Sequence, residues 1–493
     1  MLLYRFILVS LNMNAIMGEI TIHQRRKMLH AMTKGESLED AYTAALARMR
    51  VQTGAKSRLA MQALMWVFYS ERPLHVFELC HALGIEKGSP DSNTENIPDI
   101  GTVLRCSLGL LTVDVSSSTV RFVHYTLQEY LSDNPTLFHS PHSTIAEVCL
   151  TYLNFQRVRD LSPTLSSAPP TAPFLDYASC YWGVHARRET TESMIPLALR
   201  LLDRFDKHLS SNLLILHTGH WRKHGAYNKY SPEGFTGLHC AAFFGLVDIT
   251  VALLKVKKWD LNVANSEGDT ALMLAAMNGH KGVMKILLDK IGINPDMADS
   301  RGRRHLSLAA ENGHVGAVKM LLEQTGVNPE TADYYHQTPF FLAANNGHEG
   351  VVKILLERIG NPHKPDGYDR TPLLAATENG HVGVVKILLE QTDVNPELAD
   401  CFGRTPLLAA TKNGYEEVVK TLLGRNDVNP EILDEDGRTP LSWAVQNGHK
   451  GVANLLRERV RSLLNLEAGR STDLTPNESS ELPESPSKRI RHS

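Results

Sequence analysis

Residues 336–356 read HQTPFFLAANNGHEGVVKILL, and similar stretches recur throughout the C-terminal half of the chain. The copies begin at residues 234, 268, 302, 336, 369, 403 and 437, so seven units follow one another with a spacing of 34 residues and a single step of 33. A fixed period of this length is typical of a solenoid, in which each repeat is one small structural unit.

Within a unit, the residue types predict two short helices. Thr338 is a suitable N-cap, Pro339 suits the first helical position, and Gly347 suits the left-handed residue that ends the helix. A second helix should bury an apolar face made of Val351, Val352, Ile354, Leu355 and Leu356. Since one such pair cannot bury this face alone, neighbouring units are expected to stack.

The patterns T-P-L-x-x-A-x-x-x-G-H and V-V-K-I-L-L-E at this period closely resemble the ankyrin repeat over residues 234–462. The resemblance implies protein recognition by the hairpin tips and the first helix of each repeat. One departure is that the histidine usual after T-P-L is present only as His239, so the capping network is expected to be weaker elsewhere. The equivalent positions hold Phe341, Leu374, Leu408 and Ser442.

We expect the partner-binding residues on the concave face of this array. The tips carry bulky aromatic residues with no evident role in stacking: Tyr334, Tyr335, Tyr368 and Phe402. One position in the first helix varies from unit to unit while the flanking glycines do not: Met277, Glu311, Asn345, Glu378, Lys412 and Gln446. The alternative is that these side chains only pack on neighbouring tips.

A histidine recurs at the same position in five of the seven units, at His280, His314, His348, His381 and His449. Because these residues are about one repeat apart, they should form a line along the stack and not the tetrahedral cluster that zinc requires. We therefore expect no metal, and expect these imidazoles to satisfy loop backbone groups.

The N-terminal half has a different pattern. Helices are predicted at 61–69, 73–83 and 97–108, followed by alternating apolar residues on both sides of the turn at 116–118, which predicts a hairpin. Three helices followed by a hairpin suggest a winged helix. Such domains often bind DNA, but the third helix carries only Arg105 as a basic residue, so nucleic acid is not expected as a partner.

The segments ERPLHVFELCHALGI (71–85) and VRFVHYTLQEYL (120–131) resemble the winged-helix module named after GPI inositol-deacylase, which follows the NACHT domain in fungal NLR-like receptors. PFLDYASCYWGVHAR (173–187) resembles the connector that precedes the ankyrin repeats in those proteins. The expected organisation is a helical segment at 1–58, a winged helix at 59–134, a connector at 135–233, seven repeats at 234–462 and a disordered tail at 463–493. The expected fold class is mostly α, an ankyrin-repeat solenoid preceded by these domains.

The resemblance makes His124 the match to a histidine that touches nucleotide in that family. However, the chain has no G-x-x-x-x-G-K-[ST] phosphate loop, since Arg50 stands where the first glycine would precede Gly54-Ala55-Lys56-Ser57. We therefore expect His124 to be structural and no cofactor to bind. Motifs of hydrolases and metalloproteases are also missing, so the chain is expected to be a non-enzymatic scaffold. The alternative is a regulatory fragment of a nucleotide-dependent switch ATPase.

Composition places further limits on the partners and the cellular compartment of the chain. The net charge of −3 gives no broad basic field for nucleic acid or anionic lipid, and the six cysteines form no C-x-x-C pair, which favours reduced thiols in the cytosol or nucleus. Residues 1–17 resemble a signal peptide, but a buried helix is the preferred interpretation because Asn12 and Asn14 interrupt the apolar run. In the tail, Ser485 is a candidate phosphorylation site. No membrane partner is expected, and the sequence leaves the oligomeric state open.

Overall fold

The computed structural model describes residues 21–24, 38–91, 93–218, 233–391 and 393–472. The chain divides into two compact units, Met1–Ala309 with His314–Asn328, and Ala310–Gly313 with Pro329–Ser493. In both units, the described residues are mostly helical. None of the described helices combines the length and the apolar character needed to cross a bilayer.

The first unit begins with a winged-helix domain. Its antiparallel sheet has the order β1-β3-β2, in which Val120 pairs with Leu74 on one side and Val113 on the other. The elements are α1 (Leu38–Arg50), α2 (Gly54–Tyr69), β1 (Leu74–His75), α3 (Val76–Gly84), α4 (Ile100–Cys106), β2 (Leu111–Asp114), β3 (Thr119–Phe122) and α5 (Tyr125–Asp133).

Several predicted boundaries in this domain were wrong. The helix expected at 73–83 begins at Val76, because residues 74–75 pair with β3 and form a strand that local periodicity cannot reveal. His75 then caps α3, since its Nδ1 accepts from the Phe77 backbone N–H at 3.3 Å. The helix expected at 97–108 is shorter because Asp99 caps it. The boundary expected at residue 58 falls inside α2.

A helical connector follows in the same unit, with α8 (Leu175–Arg188) at its centre, packed against α6 (Pro141–Leu153) and α10 (Leu209–Thr218). Trp182 of α8 contacts Phe244 of the first repeat edge-on, with ring centroids 5.7 Å apart. Gly183 lies directly over the same ring, where a Cβ atom would overlap Phe244. The connector thereby covers the first repeat. Its helices are α6 (Pro141–Leu153), α7 (Gln156–Arg159), α8 (Leu175–Arg188), α9 (Met194–Leu202) and α10 (Leu209–Thr218).

Each repeat consists of two short helices. The first helices are α11 (Gly237–Phe244), α13 (Ala271–Met277), α15 (His305–Glu311), α17 (Pro339–Asn345), α19 (Pro372–Glu378), α21 (Pro406–Asn413) and α23 (Pro440–Gln446). The second helices are α12 (Val247–Val256), α14 (Lys281–Leu288), α16 (Val315–Leu322), α18 (Glu349–Leu356), α20 (Val382–Leu389), α22 (Glu416–Leu423) and α24 (Lys450–Thr472). The expected fold class, mostly α with an ankyrin-repeat solenoid and a winged-helix domain, is confirmed.

The local signals within the repeats also hold. Thr338 Oγ1 accepts a hydrogen bond from the Phe341 backbone N–H at 3.1 Å, and Gly347 has a φ of 78°. The tail, in contrast, was expected to begin at 463, whereas α24 continues to Thr472. Leu463 and Leu464 are good helix formers, so the helix continues past the last repeat.

The recurrent histidines join successive repeats through the backbone. Within the second unit, His381 Nε2 donates to the Asn345 carbonyl at 3.0 Å, and its ring lies against Gly347 where a Cβ atom would overlap it. The same bond joins His348 to Glu311 and His449 to Lys412 in the second unit, and His280 to Phe243 and His314 to Met277 in the first. The predicted backbone role of these histidines is therefore confirmed.

His239 completes the helix cap of the first repeat. Its Nδ1 accepts from the Thr236 backbone N–H at 3.2 Å, while Nε2 donates to the Asp269 carbonyl at 3.1 Å. Burial lowers the pKa of His239 to about 4, against the hydrogen bond to Asp269, so the neutral ring is the form that makes both bonds.

The packing of the connector on the first repeat leads to a prediction. Gly183→Ala should lower the free energy of unfolding by about 1–3 kcal/mol, because the added methyl group overlaps the Phe244 ring. In a double-mutant cycle with Phe244→Ala, the two changes should show a coupling free energy of about 0.5–3 kcal/mol, measured by chemical denaturation.

Gly54→Ala is the matched control, since a Cβ atom at that helical position meets nothing within 4 Å. It should leave stability unchanged or slightly raised. Additive effects of Gly183→Ala and Phe244→Ala would contradict the proposed contact.

Candidate functional site

The repeat tips of the second unit are held rigid by aspartates. Asp366 Oδ1 accepts from the backbone N–H groups of Tyr368 and Arg370 at 2.9 and 3.0 Å, and Oδ2 pairs with the Arg370 guanidinium at 2.7 Å. Asp400 with Arg404 and Asp434 with Arg438 repeat this arrangement. Each tip is therefore fixed by a buried or nearly buried carboxylate that also orients an arginine.

Aromatic side chains stand on these fixed tips. Tyr334, Tyr335, Tyr368 and Phe402 are 73%, 57%, 53% and 54% exposed, and we call them the aromatic tip row. Backbone bonds set their spacing, because the Tyr335 carbonyl accepts from Gly367 N–H at 2.9 Å and the Tyr368 carbonyl accepts from Cys401 N–H at 3.0 Å. Tyr335, Tyr368 and Phe402 thus follow one another on successive tips.

Two residues next to the aromatic tip row adopt an unfavourable backbone conformation. His336 and Asp369 have φ values of 61° and 58°, at the position where repeats such as the sixth use glycine, Gly403. Side chains are disfavoured in this left-handed region, and such residues concentrate at functional sites. Both side chains are exposed, so burial does not account for them.

An ion-pair network connects the tips to the first helices. Glu378 accepts from Arg370 at 3.3 Å and from Arg404 at 2.9 Å. The pKa of the Arg370 guanidinium is raised, since the attraction of Asp366 and Glu378 outweighs the effect of its burial. Glu378 therefore links two neighbouring repeats, and its side chain remains partly exposed.

A cleft of about 310 Å³ lies beside the end of the aromatic tip row, and we call it the terminal cleft. Two cations lie over the Trp443 ring, with Arg438 Cζ 4.1 Å and Lys412 Nζ 4.9 Å from its centroid. The lining comprises Glu378, Phe402, Arg404, Leu408, Ala409, Lys412, Asn413, Asp434, Glu435, Asp436, Arg438 and Trp443.

Asp434 is the most perturbed group of the terminal cleft. Burial alone would raise its pKa, but hydrogen bonds from the Arg438 backbone and the Trp443 indole, together with the Arg438 guanidinium, lower the pKa to about 2. The indole Nε1 lies 2.9 Å from Asp434 Oδ2. The carboxylate stays ionised and holds Trp443 in place, while among the described residues none supplies a carboxylate partner to Lys412.

The six variable first-helix residues differ in accessibility. Lys412 and Gln446 are exposed, while Glu311, Asn345 and Glu378 are half-buried. Met277 is only 6% exposed and packs with Met273 and Leu308, so its prediction as a partner-binding residue is corrected. Its unbranched apolar side chain fills space between repeats of the first unit.

Some contributors to the cleft were missed by sequence reasoning. Trp443 occupies a position that is Ala375 and Ala409 in the two preceding repeats, and this substitution was a usable signal. The arginines at the tips recur with the aspartate four residues before them, as in Asp400 and Arg404, and this spacing was a second signal.

In the winged helix, His124 acts locally. Its Nδ1 accepts from the Thr126 backbone N–H at 3.3 Å and caps α5. The segment beginning at Gly54 follows helix α1 and opens α2, whereas a phosphate loop follows a strand. Arg105 donates to Thr102 Oγ1 on its own helix at 2.7 Å.

Within the ranges that the structure describes, no group of histidine, cysteine and acidic residues could hold a metal ion. The candidate Ser485 and the N-terminal segment 1–17 lie outside those ranges.

The chain was compared with known families. A family model described as "Ankyrin repeats (3 copies)" matches residues 209–299, 238–333, 306–400 and 392–465. A second model, "GPI inositol-deacylase, winged helix domain", matches residues 46–143. No curated protein matches the chain.

Solved structures similar to this chain include three ankyrin domains. The human ASB11 ankyrin repeat domain is 26% identical, with 45% of this chain and 96% of that chain covered and a TM-score of 0.40. The ankyrin repeat domain of Bcl-3, described as a unique member of the IkappaB family, is 26% identical, with 46% and 99% covered and a TM-score of 0.39. A domain from Acinetobacter baumannii AYE is 29% identical, with 38% and 96% covered and a TM-score of 0.35.

The matches to the ankyrin model together extend from residue 209 to residue 465, which is more than half of the 493 residues. The described helix pairs, threonine caps and left-handed glycines recur with the same period over this range. The chain belongs to the ankyrin-repeat family.

Proposed function

We propose that this chain is a non-enzymatic scaffold that binds a protein partner through the aromatic tip row and the terminal cleft. The first helices that bear Asn345, Glu378, Lys412 and Gln446 complete the binding surface, which corresponds to the concave face used by ankyrin repeats. The main support for this proposal is that four large aromatic side chains are more than half exposed on tips whose backbone is fixed by hydrogen bonds.

Aromatic and arginine side chains are the types most enriched among residues that dominate protein interfaces. Here they occur together, since Arg404 Cζ lies 5.2 Å from the Phe402 ring centroid and Arg438 lies over Trp443. The arginines are already oriented by Asp400 and Asp434, so binding would cost little side-chain entropy. This preorganisation supports a protein partner.

The strained backbone beside the row supports the same assignment. Glycine at 336 and 369 would relieve the left-handed conformation, yet exposed histidine and aspartate occupy these positions. Their side chains flank Tyr335 and Tyr368 and would contact the same partner.

We further propose that the scaffold acts in an NLR-like signalling receptor, with the winged helix as its regulatory part. The match of residues 46–143 to the winged-helix model supports this placement. A nucleotide-dependent switch is the less favoured function, because His124 is engaged as a helix cap and Gly54 does not follow a strand. The proposal includes no nucleic-acid partner.

The binding surface leads to a prediction. With a partner recovered by affinity capture on the full chain, replacing Tyr334, Tyr335, Tyr368 and Phe402 together by alanine should weaken binding by about 2 kcal/mol or more. Because these side chains are exposed, the thermal midpoint should change little. Titration calorimetry and thermal unfolding measure the two effects.

Two controls accompany this variant. Leu355→Ala empties a fully buried site and should cost about 2–5 kcal/mol of stability. Tyr125→Ala removes a similarly exposed aromatic, 65% accessible, from the winged helix and should leave affinity intact. The assignment fails if the fourfold variant is as unstable as Leu355→Ala, or if it binds as tightly as the unchanged chain.

A second prediction concerns nucleotide. Titration of the chain with Mg-ATP should give no measurable heat at micromolar concentrations, and no phosphate should be released on incubation. Micromolar affinity that is lost in Lys56→Ala or His124→Ala would establish the nucleotide-dependent function in place of the scaffold.

A further inference from the structure

A second cleft lies wholly within the first unit, where α8 of the connector meets the first two repeats. It has a volume of about 530 Å³ and we call it the connector cleft. Its lining comprises Cys180, Tyr181, Val184, Arg187, Arg188, His217, Phe243, Phe244, Asn278 and His280. None of these residues belongs to the surface discussed above.

One face of α8 forms a wall of this cleft. The five α8 residues of the lining are spaced as i, i+1, i+4, i+7 and i+8, so they share one side of the helix. The opposite side of the helix is buried, since Ala178, Trp182 and Ala186 are fully covered. The wall is rigid because α8 is packed along its length.

The charged side chains that line the connector cleft are all basic. Among the described residues that line it, none is an aspartate or glutamate. Arg188 is already paired with Glu71, whereas Arg187 is exposed and has no carboxylate within ion-pair distance in the described part of the chain. Burial lowers the pKa of His280 to about 4, and the positive charge of Arg187 contributes to that shift.

Apolar and aromatic groups lie beside the free guanidinium. The first repeat has Phe243 where the second and fourth repeats have Met277 and Asn345, and this ring is half-buried at the cleft. Tyr181 is fixed at the rim by a 2.8 Å hydrogen bond between its hydroxyl and His217 Nε2. Val184 lies between Tyr181 and the arginines on the α8 face.

We propose that the connector cleft binds an acidic segment of a protein partner. A carboxylate of that segment pairs with Arg187, whose planar fork matches two carboxylate oxygens, and a neighbouring aromatic or aliphatic side chain packs against Phe243 and Val184. A single unpaired guanidinium can neutralise one carboxylate. It could not neutralise the several negative charges of a polyphosphate ligand, so a carboxylate is the favoured occupant.

The test uses the full chain and an array of pentapeptides that vary in charge and apolar content. Peptides with a glutamate or aspartate next to an aromatic or aliphatic residue should be enriched. Fluorescence anisotropy with the strongest array peptide should show a loss of affinity of about tenfold or more in Arg187→Gln, and a similar loss when the peptide carboxylates are replaced by amides.

Arg200→Gln is the matched control, since Arg200 is exposed on α9 of the same connector and its loss changes net charge equally. It should leave the affinity unchanged, as should alanine substitution of the aromatic tip row, which separates this site from the proposed function. A benzoylphenylalanine in place of the peptide's aromatic residue should crosslink to 180–188.

Three results would overturn the proposal. The first is an array without preference for acidic peptides, and the second is an equal loss in Arg187→Gln and Arg200→Gln. The third is tighter binding of inorganic phosphate or ATP than of the best peptide, which would make phosphate the occupant.

Discussion

Stacking of the repeats depends on the contact between a glycine and a ring of the following repeat, which is a histidine in five of the described contacts and Tyr415 in the sixth repeat. Gly347 ends its helix with a φ of 78° and leaves room where the His381 ring lies. From there the imidazole reaches the Asn345 carbonyl, which has no partner within its own helix end. One glycine thus serves helix termination and lateral packing at once, and both functions exclude any larger residue.

This constraint explains why the Asn-Gly pair is repeated from unit to unit while the side chain just before it varies. The residue before the Asn-Gly pair contributes its carbonyl to the stack, while its side chain is not required for that bond. Asn345, Glu378 and Lys412 differ in charge at equivalent positions, yet in all three repeats the helix ends at the Asn-Gly pair that follows. Variation is therefore compatible with stability on the surface that we propose for partner binding.

Sequence periodicity predicted the repeat helices because capping and helix termination are local interactions. Thr338, Gly347 and the histidines had roles that could be derived from spacing and backbone chemistry. Met277 and the strand at residues 74–75 could not be predicted in this way, since burial by a neighbouring repeat and pairing with β3 depend on contacts distant in sequence. Trp443 differs from these residues, because its replacement of alanine was visible in the sequence. Its contacts with Asp434 and Arg438 could be seen only in the structure.

The central claim is that the tips and first helices of the second unit bind a protein. Hydrogen–deuterium exchange of the full chain, with and without the captured partner, tests it most directly. The account predicts slower exchange at the tips 333–338, 366–371, 400–405 and 434–439 and in α17, α19, α21 and α23. Protection confined to the winged helix at residues 46–143, with unchanged exchange at every tip, would contradict it.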